Sequence, residues 1–205
     1  MPFDYSQTPN PRDYTALIPH GTIATVQMRI RPGNAGEGGL LKRTKEGDAE
    51  MLDCEFVVDD GQYAKRKIWD NFLLEGTTPG QKEMALTNRG RLKKMLESAR
   101  GIKKDMPAEQ ARALYQAELK DFDNIIFMAK IGVKKGEPKN DGSGESWPDK
   151  NYLAAAIGPD QKEWHPVEQP PPFNGGGRAA TPTGSAPADS ASTGSTPITP
   201  PQWAR

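Results

Sequence analysis

The residues best suited to chemistry in this chain lie between Tyr63 and Leu74, in the run YAKRKIWDNFLL. Read as a strand, the run puts Tyr63, Lys65, Lys67 and Trp69 on one face. Ala64, Arg66, Ile68 and Asp70 then fall on the other. Two aromatics therefore flank two lysines. Ammonium groups neutralise phosphates and aromatic rings stack on bases, which are the two needs of a single-stranded nucleic-acid site. The same pattern also suits an exposed strand with solvated lysines and a half-buried tryptophan. On this stretch alone the solvated-strand reading is favoured, and the rest of the chain shifts the balance.

Composition narrows the field. Lys and Arg number 27 and Asp and Glu number 27, so the net charge is zero, which counts against a histone-like polyanion binder. A nucleic-acid site here must come from charge separated over the surface. The single cysteine, Cys54, excludes an intrachain disulfide and a cysteine-based zinc site. With Leu52, Phe56 and Val58 at alternate positions, Cys54 is expected in the core. His20 and His165 show no ligand-like spacing, and no metal or other cofactor is expected. No apolar run reaches membrane-spanning length, and MPFDYSQTPN lacks the charged and apolar regions of a signal peptide. The expectation is a soluble protein of a reducing compartment, with no membrane partner.

Catalytic signatures do not appear. GEGG at 36–39 precedes no helix and lacks the Lys-Ser/Thr of a phosphate loop. Neither a nucleophile elbow nor a zinc-hydrolase motif is present. Asp59 and Asp60 suit a turn, and Asp53 and Glu55 alternate with apolar residues as a solvated strand face. A binding role is expected in place of an enzymatic one.

The elements that must position these side chains follow in order. Residues 1–15 read as an arm. Val26, Met28 and Ile30 alternate with Gln27, Arg29 and Arg31, which predicts a half-buried strand. Pro32 and NAGEGG form a loop, Leu40 to Lys45 brings a basic group, and Met51 to Val58 is the next strand. Asp59, Asp60 and Gly61 predict a tight hairpin turn into the strand near Tyr63. Thr78, Pro79 and Gln81 form a capping box, and Leu92, Met95, Leu96 and Ala99 give the following helix a buried stripe. Its other side carries Arg89, Arg91, Lys93, Lys94 and Arg100, and Gly101 stops it. A second helical segment spans about 107–119, strands span about 123–133 and 152–157, and a polar Gly-rich loop fills 134–148. The domain is expected over 16–165, and 166–205 reads as a disordered Pro/Gly/Ser/Thr-rich tail ending near Trp203. The fold class is mainly β, an oligonucleotide-binding-type barrel (OB-fold-like) with one or two inserted helices. A general α+β sheet fits the same pattern.

The order of several motifs adds to this. Lys42, Thr44, Lys45 and Gly47 form a Lys-x-Thr-Lys-x-Gly approach to a strand, and Arg66, Lys67 and Trp69 lead towards a helix. With GTIATVQMRI before them and DKNYLAAAI after, they resemble a family of phage and prophage proteins associated with single-stranded-DNA binding. The resemblance covers about residues 20–158. It implies a barrel of the oligonucleotide-binding type that protects or presents single-stranded DNA in replication or recombination, inside a bacterial host cell. Replication or recombination proteins are the implied protein partners, and a homo-oligomer is compatible with the pattern. The end of the chain, PPQWAR, lacks the acidic tail with which many such proteins recruit partners.

On this reading the phosphate contacts are Lys42, Arg43, Lys45, Lys65, Lys67, Lys130 and Lys134. The stacking groups are Tyr63, Trp69, Trp147 and Tyr152. For each lysine the alternative is a solvated charge, and for each aromatic it is core packing. The rival function is a scaffold or protein-interaction role, docking through the barrel or the Pro-rich tail.

Overall fold

The computed structural model describes residues 16–170. The expected arm and residues 171–205 of the expected tail, Trp203 among them, lie outside it. Among the described residues seven strands form, β1 (Ile23–Arg31), β2 (Asn34–Ala35), β3 (Leu41–Arg43), β4 (Ala49–Val58), β5 (Lys67–Gly76), β6 (Ile126–Lys134) and β7 (Lys150–Ala156). Two helices, α1 (Pro79–Arg100) and α2 (Ala108–Tyr115), sit between β5 and β6.

Alternation drives the sheet. β1 buries Ala24, Val26, Met28 and Ile30, and β4 buries Leu52, Cys54, Phe56 and Val58, as their period-two spacing predicts. β5 adds Ile68, Phe72 and Leu74, and β6 adds Phe127, Ala129 and Ile131. Phe56 meets Phe72 and Phe127 edge-on, each at 6.1 Å between ring centroids. Each of these larger apolar side chains contributes about 1.5–3 kcal/mol on burial.

All pairings are antiparallel. The path runs β2–β3–β4–β1–β6–β7, with β5 on β4 off that path. Among the described residues no ladder joins β5 to β7, so the sheet is open where the sequence reading expected a barrel. α1 spans the gap. Its Arg91 Nη2 donates to Asp70 Oδ2 on β5 at 2.6 Å and to the Leu153 carbonyl on β7 at 3.2 Å. The same guanidinium lies 4.5 Å from the Phe72 ring centroid. Asn88 Nδ2 and Arg89 Nη2 donate to the Leu73 and Leu74 carbonyls at 3.1 and 2.9 Å. Unpaired strand carbonyls are costly when covered, and these side chains supply the donors that a neighbouring strand would otherwise give. Arg89 and Arg91, expected on the solvent side of the helix, therefore serve the sheet edge.

The capping box at Thr78 and Gln81 forms as expected, and Gly101 ends α1 in the left-handed region at φ 64°. Gln81 also donates to Asp48 Oδ2 at 2.7 Å, and the Thr44 hydroxyl donates to Asp48 Oδ1 at 2.6 Å. Those two bonds hold the Asp48 carboxyl below its ordinary pKa. The Thr44–Gly47 part of the Lys-x-Thr-Lys-x-Gly run thus builds the β3–β4 turn and ties it to the start of α1. α2 is shorter than expected because Arg100 Nη1 takes the Leu114 and Gln116 carbonyls at 2.6 and 2.9 Å. These are the acceptors a longer helix would use.

The β4–β5 connection is wider than the hairpin turn predicted at Asp59, Asp60 and Gly61. Residues Gly61–Tyr63 form a 3-10 turn, and Lys65 takes a left-handed φ of 69°. The ladder closes through Lys65 N to the Val58 carbonyl and Val58 N to the Arg66 carbonyl. Asp60 Oδ1 instead accepts from the Thr25 amide at 3.3 Å, which draws the acid towards β1 and widens the loop.

The folded unit runs past the expected break at His165. Trp164 Nε1 donates to the Ser98 carbonyl at 3.0 Å. Gln169 Nε2 donates to the Ile126 and Ala99 carbonyls at 2.6 and 3.2 Å, and its Oε1 accepts from Ile126 N at 3.0 Å. This strap binds the end of α1 to β6. A chain ending at Pro171 is expected to melt within about 2 °C of the full chain. One ending at Glu163 is expected to melt at least about 4 °C lower, at roughly 2–4 °C per kcal/mol for a domain of this size. Differential scanning calorimetry of the two truncations makes the comparison.

Candidate functional site

β5 starts at Lys67, so only half of the expected face is strand. Tyr63 lies in the 3-10 turn, half-buried against the core, and Lys65 sits at the left-handed bend. Neither continues the alternation of Lys67 and Trp69. This corrects the sequence reading, and the cause is the wider loop set by Asp60. From Lys67 to Leu73 the pairing is regular, and the register shifts only beyond it, between Glu50 and Met51. Ile68 and Phe72 point inward, while Lys67, Trp69 and Asn71 point outward. Trp69 is 55% exposed.

The register assembles the outward side chains into rows. Trp69 pairs with Glu55 on β4, and Glu55 pairs with Arg29 on β1. One step along, Asn71 pairs with Asp53 and Asp53 with Arg31. Lys67 pairs with Val57, and Lys42 on β3 pairs with Met51. An exposed indole thus stands in a field of cations interleaved with carboxylates.

Those cations are mostly engaged. Arg31 contacts Asp53 at 2.5 Å, Lys42 reaches the same carboxylate at 3.5 Å, and Lys67 contacts Glu55 at 3.0 Å. Asp53 is 7% exposed and its hydrogen bond holds the Arg31 guanidinium above its ordinary pKa. Arg29 is bonded only to its neighbour Gln27, at 3.1 and 3.2 Å, and has no ion pair among the described residues. Arg43 pairs with Glu50 at 2.7 Å where β3 meets β4. Lys45 lies exposed in the β3–β4 turn. In each pair the carboxylate is largely covered and the cation about half exposed, so a competing anion meets the cation first.

The remaining expected residues gather on β6, β7 and their connection. Lys130 faces outward opposite Ile23 and Ala155, and Lys134 stands opposite Lys150. Two lysines directly across a ladder repel. Glu137 relieves this at 2.6 Å from Lys134, and that hydrogen bond raises the Lys134 pKa. Tyr152 lies across Gly132, where a Cβ would strike its ring. Its ring is therefore partly used in packing. Trp147 is 61% exposed in the β6–β7 connection, with Lys139 Nζ 5.6 Å from its ring centroid. The connection is an ordered extension of the hairpin, bridged at Pro138 and Ser146. Gly136 lies so close to the Trp147 carbonyl that no side chain fits there.

Lys42, Lys67 and Trp69 therefore share one face, and Lys130, Lys134 and Tyr152 share the β6–β7 region. Arg29, Arg31, Asn71 and Lys150 join them without having been singled out by type and spacing. Arg29 and Arg31 were legible as the outward half of β1, but their place beside Glu55 and Asp53 depends on the strand register. Among the described residues no cluster of three or more acids, histidines or cysteines forms a metal site.

Known proteins add no analogue. The chain matches no protein-family model, no curated protein and no solved structure.

The geometry separates two adjacent residues. Ile68→Ala, at 2% exposure, is expected to cost about 2–5 kcal/mol of stability. Trp69→Ala is expected to cost about 1 kcal/mol or less, as an exposed residue does. Urea unfolding of both variants measures the difference directly.

Proposed function

We propose that this chain binds single-stranded DNA on the outer face of β4 and β5, as a non-enzymatic protein. The observation that carries the reading is Trp69. A tryptophan more than half exposed at mid-strand, with Lys67 beside it and Arg29 two strands away, has little to gain from water. It has much to gain from a base, because base stacking on an aromatic ring is worth about 1–3 kcal/mol.

The sheet order supports the same reading. With β1, β4, β5, β6 and β7 as principal strands and α1 and α2 after the third, the path is compatible with the partly open oligonucleotide-binding barrel. In that fold the face of the second and third strands and the loops after the first and fourth strands take the ligand. The corresponding parts here are β4 and β5, the Pro32–Asp48 segment with Lys42, Arg43 and Lys45, and the β6–β7 connection with Trp147. The resemblance to phage and prophage single-stranded-DNA-binding proteins points the same way. It implies a role in phage replication or recombination within a bacterial cell.

The rival reading, a scaffold that docks proteins, calls for an apolar patch. Among the described residues the exposed large apolar side chains are Trp69, Trp147, Met84, Leu86 and Leu17, which come from four separate parts of the chain. No single element carries more than two of them, which supports the nucleic-acid reading.

Because Arg31, Lys42 and Lys67 are already ion-paired, few cations are free to displace counterions. With two or three phosphates neutralised, log K against log salt should slope by about −1.4 to −2.1, at roughly 0.7 per single-strand contact. Fluorescence titration with single-stranded and duplex DNA at several salt concentrations tests this. Single strands should bind more tightly, and Trp69→Ala should weaken them about tenfold to a hundredfold. Equal affinity for duplex, or an unchanged Trp69→Ala variant, contradicts the reading.

A further inference from the structure

We infer that Glu55 selects the base that stacks on Trp69, favouring guanine, then cytosine and adenine, over thymine. The inference rests on the single-strand reading above and goes beyond it to the chemistry of the base. Glu55 is the direct cross-strand partner of Trp69, so its side chain leaves the same face of the sheet beside the indole. Directly opposed side chains on one face of an antiparallel pair have Cβ atoms about 4.5–5.5 Å apart, within reach of a stacked base.

The carboxylate is held in place. Lys67 Nζ lies 3.0 Å from Glu55 Oε1 and 3.1 Å from Oε2. The Glu55 side chain is only 14% exposed, while the lysine is 48% exposed. On the opposite strand Arg29 turns its guanidinium towards Gln27 and makes no bond to Glu55. Glu55 therefore depends on Lys67 as its one close cation among the described residues.

A bound strand changes that balance. Its phosphates compete for Lys67, the more exposed partner. A carboxylate left without a donor in a half-buried site is costly, and each bond to a charged group is worth more than a neutral one. The base on Trp69 supplies the donor. A carboxylate accepts only, so it rewards edges that donate and penalises edges that accept. Guanine offers two parallel donors, its ring N1–H and exocyclic amino group, matched to the two carboxylate oxygens. Cytosine and adenine each offer one amino group, and carboxylates accept from such groups in base recognition. Thymine has no amino group, and its single N–H lies between two carbonyl oxygens that repel the carboxylate.

The same charge accounts for a preference against duplex DNA. In a duplex the amino groups and N–H groups of the pairing edges are occupied, and the dense phosphates meet Asp53 and Glu55 instead of free cations.

The test compares oligonucleotides of about a dozen residues, within the roughly 4–16 nucleotide span of one such domain. Oligothymidine, alternating thymine–cytosine and alternating thymine–guanine strands are titrated against the full chain by fluorescence anisotropy. The guanine-containing strand should bind at least about tenfold more tightly than oligothymidine, with the cytosine-containing strand between. Glu55→Gln carries an amide that donates as well as accepts, and it should cut that ratio below about threefold. Equal affinity of the native chain for all three strands overturns base selection while leaving the single-strand site intact. A full guanine preference in Glu55→Gln also overturns the assignment to Glu55. Failure of every strand to bind overturns both the inference and the reading beneath it. The comparison of strands on the native chain does not depend on the variant folding.

Discussion

The period-two pleat of β5 against β4 is the constraint on which both the core and the site depend. Ile68 and Phe72 alternate with Lys67, Trp69 and Asn71, and the ladder pairs them with Phe56 and Leu52 inside and Val57, Glu55 and Asp53 outside. A slip of one residue would exchange the two sets, burying the tryptophan and lysine and exposing Ile68 and Phe72. The apolar set contributes about 1.5–3 kcal/mol per large side chain, so the core enforces the register. Exposure of Trp69 is then a consequence of burying its neighbours.

Charge balance on the outer face follows from the same register. The chain carries equal numbers of acidic and basic residues, and β4 places Asp53 and Glu55 among Arg29, Arg31, Lys42 and Lys67. A face built this way has weak long-range attraction for polyanions. On the proposed function it relies on contact chemistry, with stacking on an indole and exchange of ion pairs for phosphates. That suits a ligand whose bases are already unpaired. The opposite edge of β5 shows the complementary device, in which Arg91, Asn88 and Arg89 from α1 occupy the carbonyls and the seam towards β7.

Much of this was legible in the sequence. The alternation in β1, β4 and β6, the capping box at Thr78 and Gln81, the stop at Gly101 and the outward Trp69 all follow from local patterns. Parts set by distant partners were not. Asp60 bonds to Thr25, which lengthens the β4–β5 loop and takes Tyr63 and Lys65 off the strand. Arg89 and Arg91 sit on the polar side of the helix pattern, yet the open sheet edge recruits them. Glu55 and Asp53 were visible as an outward pair, but a solvated face and an ion-paired one share the same spacing. The extension of the folded unit to Gln169 was hidden because a strap held by side-chain bonds has no periodicity.

The most direct test of the account is an NMR titration that follows the indole N–H signals while a single-stranded oligonucleotide is added. Trp69 stands exposed on the outer face, Trp147 in the β6–β7 connection, and Trp164 is bonded to the Ser98 carbonyl at the end of α1. The account predicts a large shift for Trp69, a shift for Trp147 and none for Trp164. A Trp69 signal that stays fixed while the oligonucleotide binds elsewhere would contradict it.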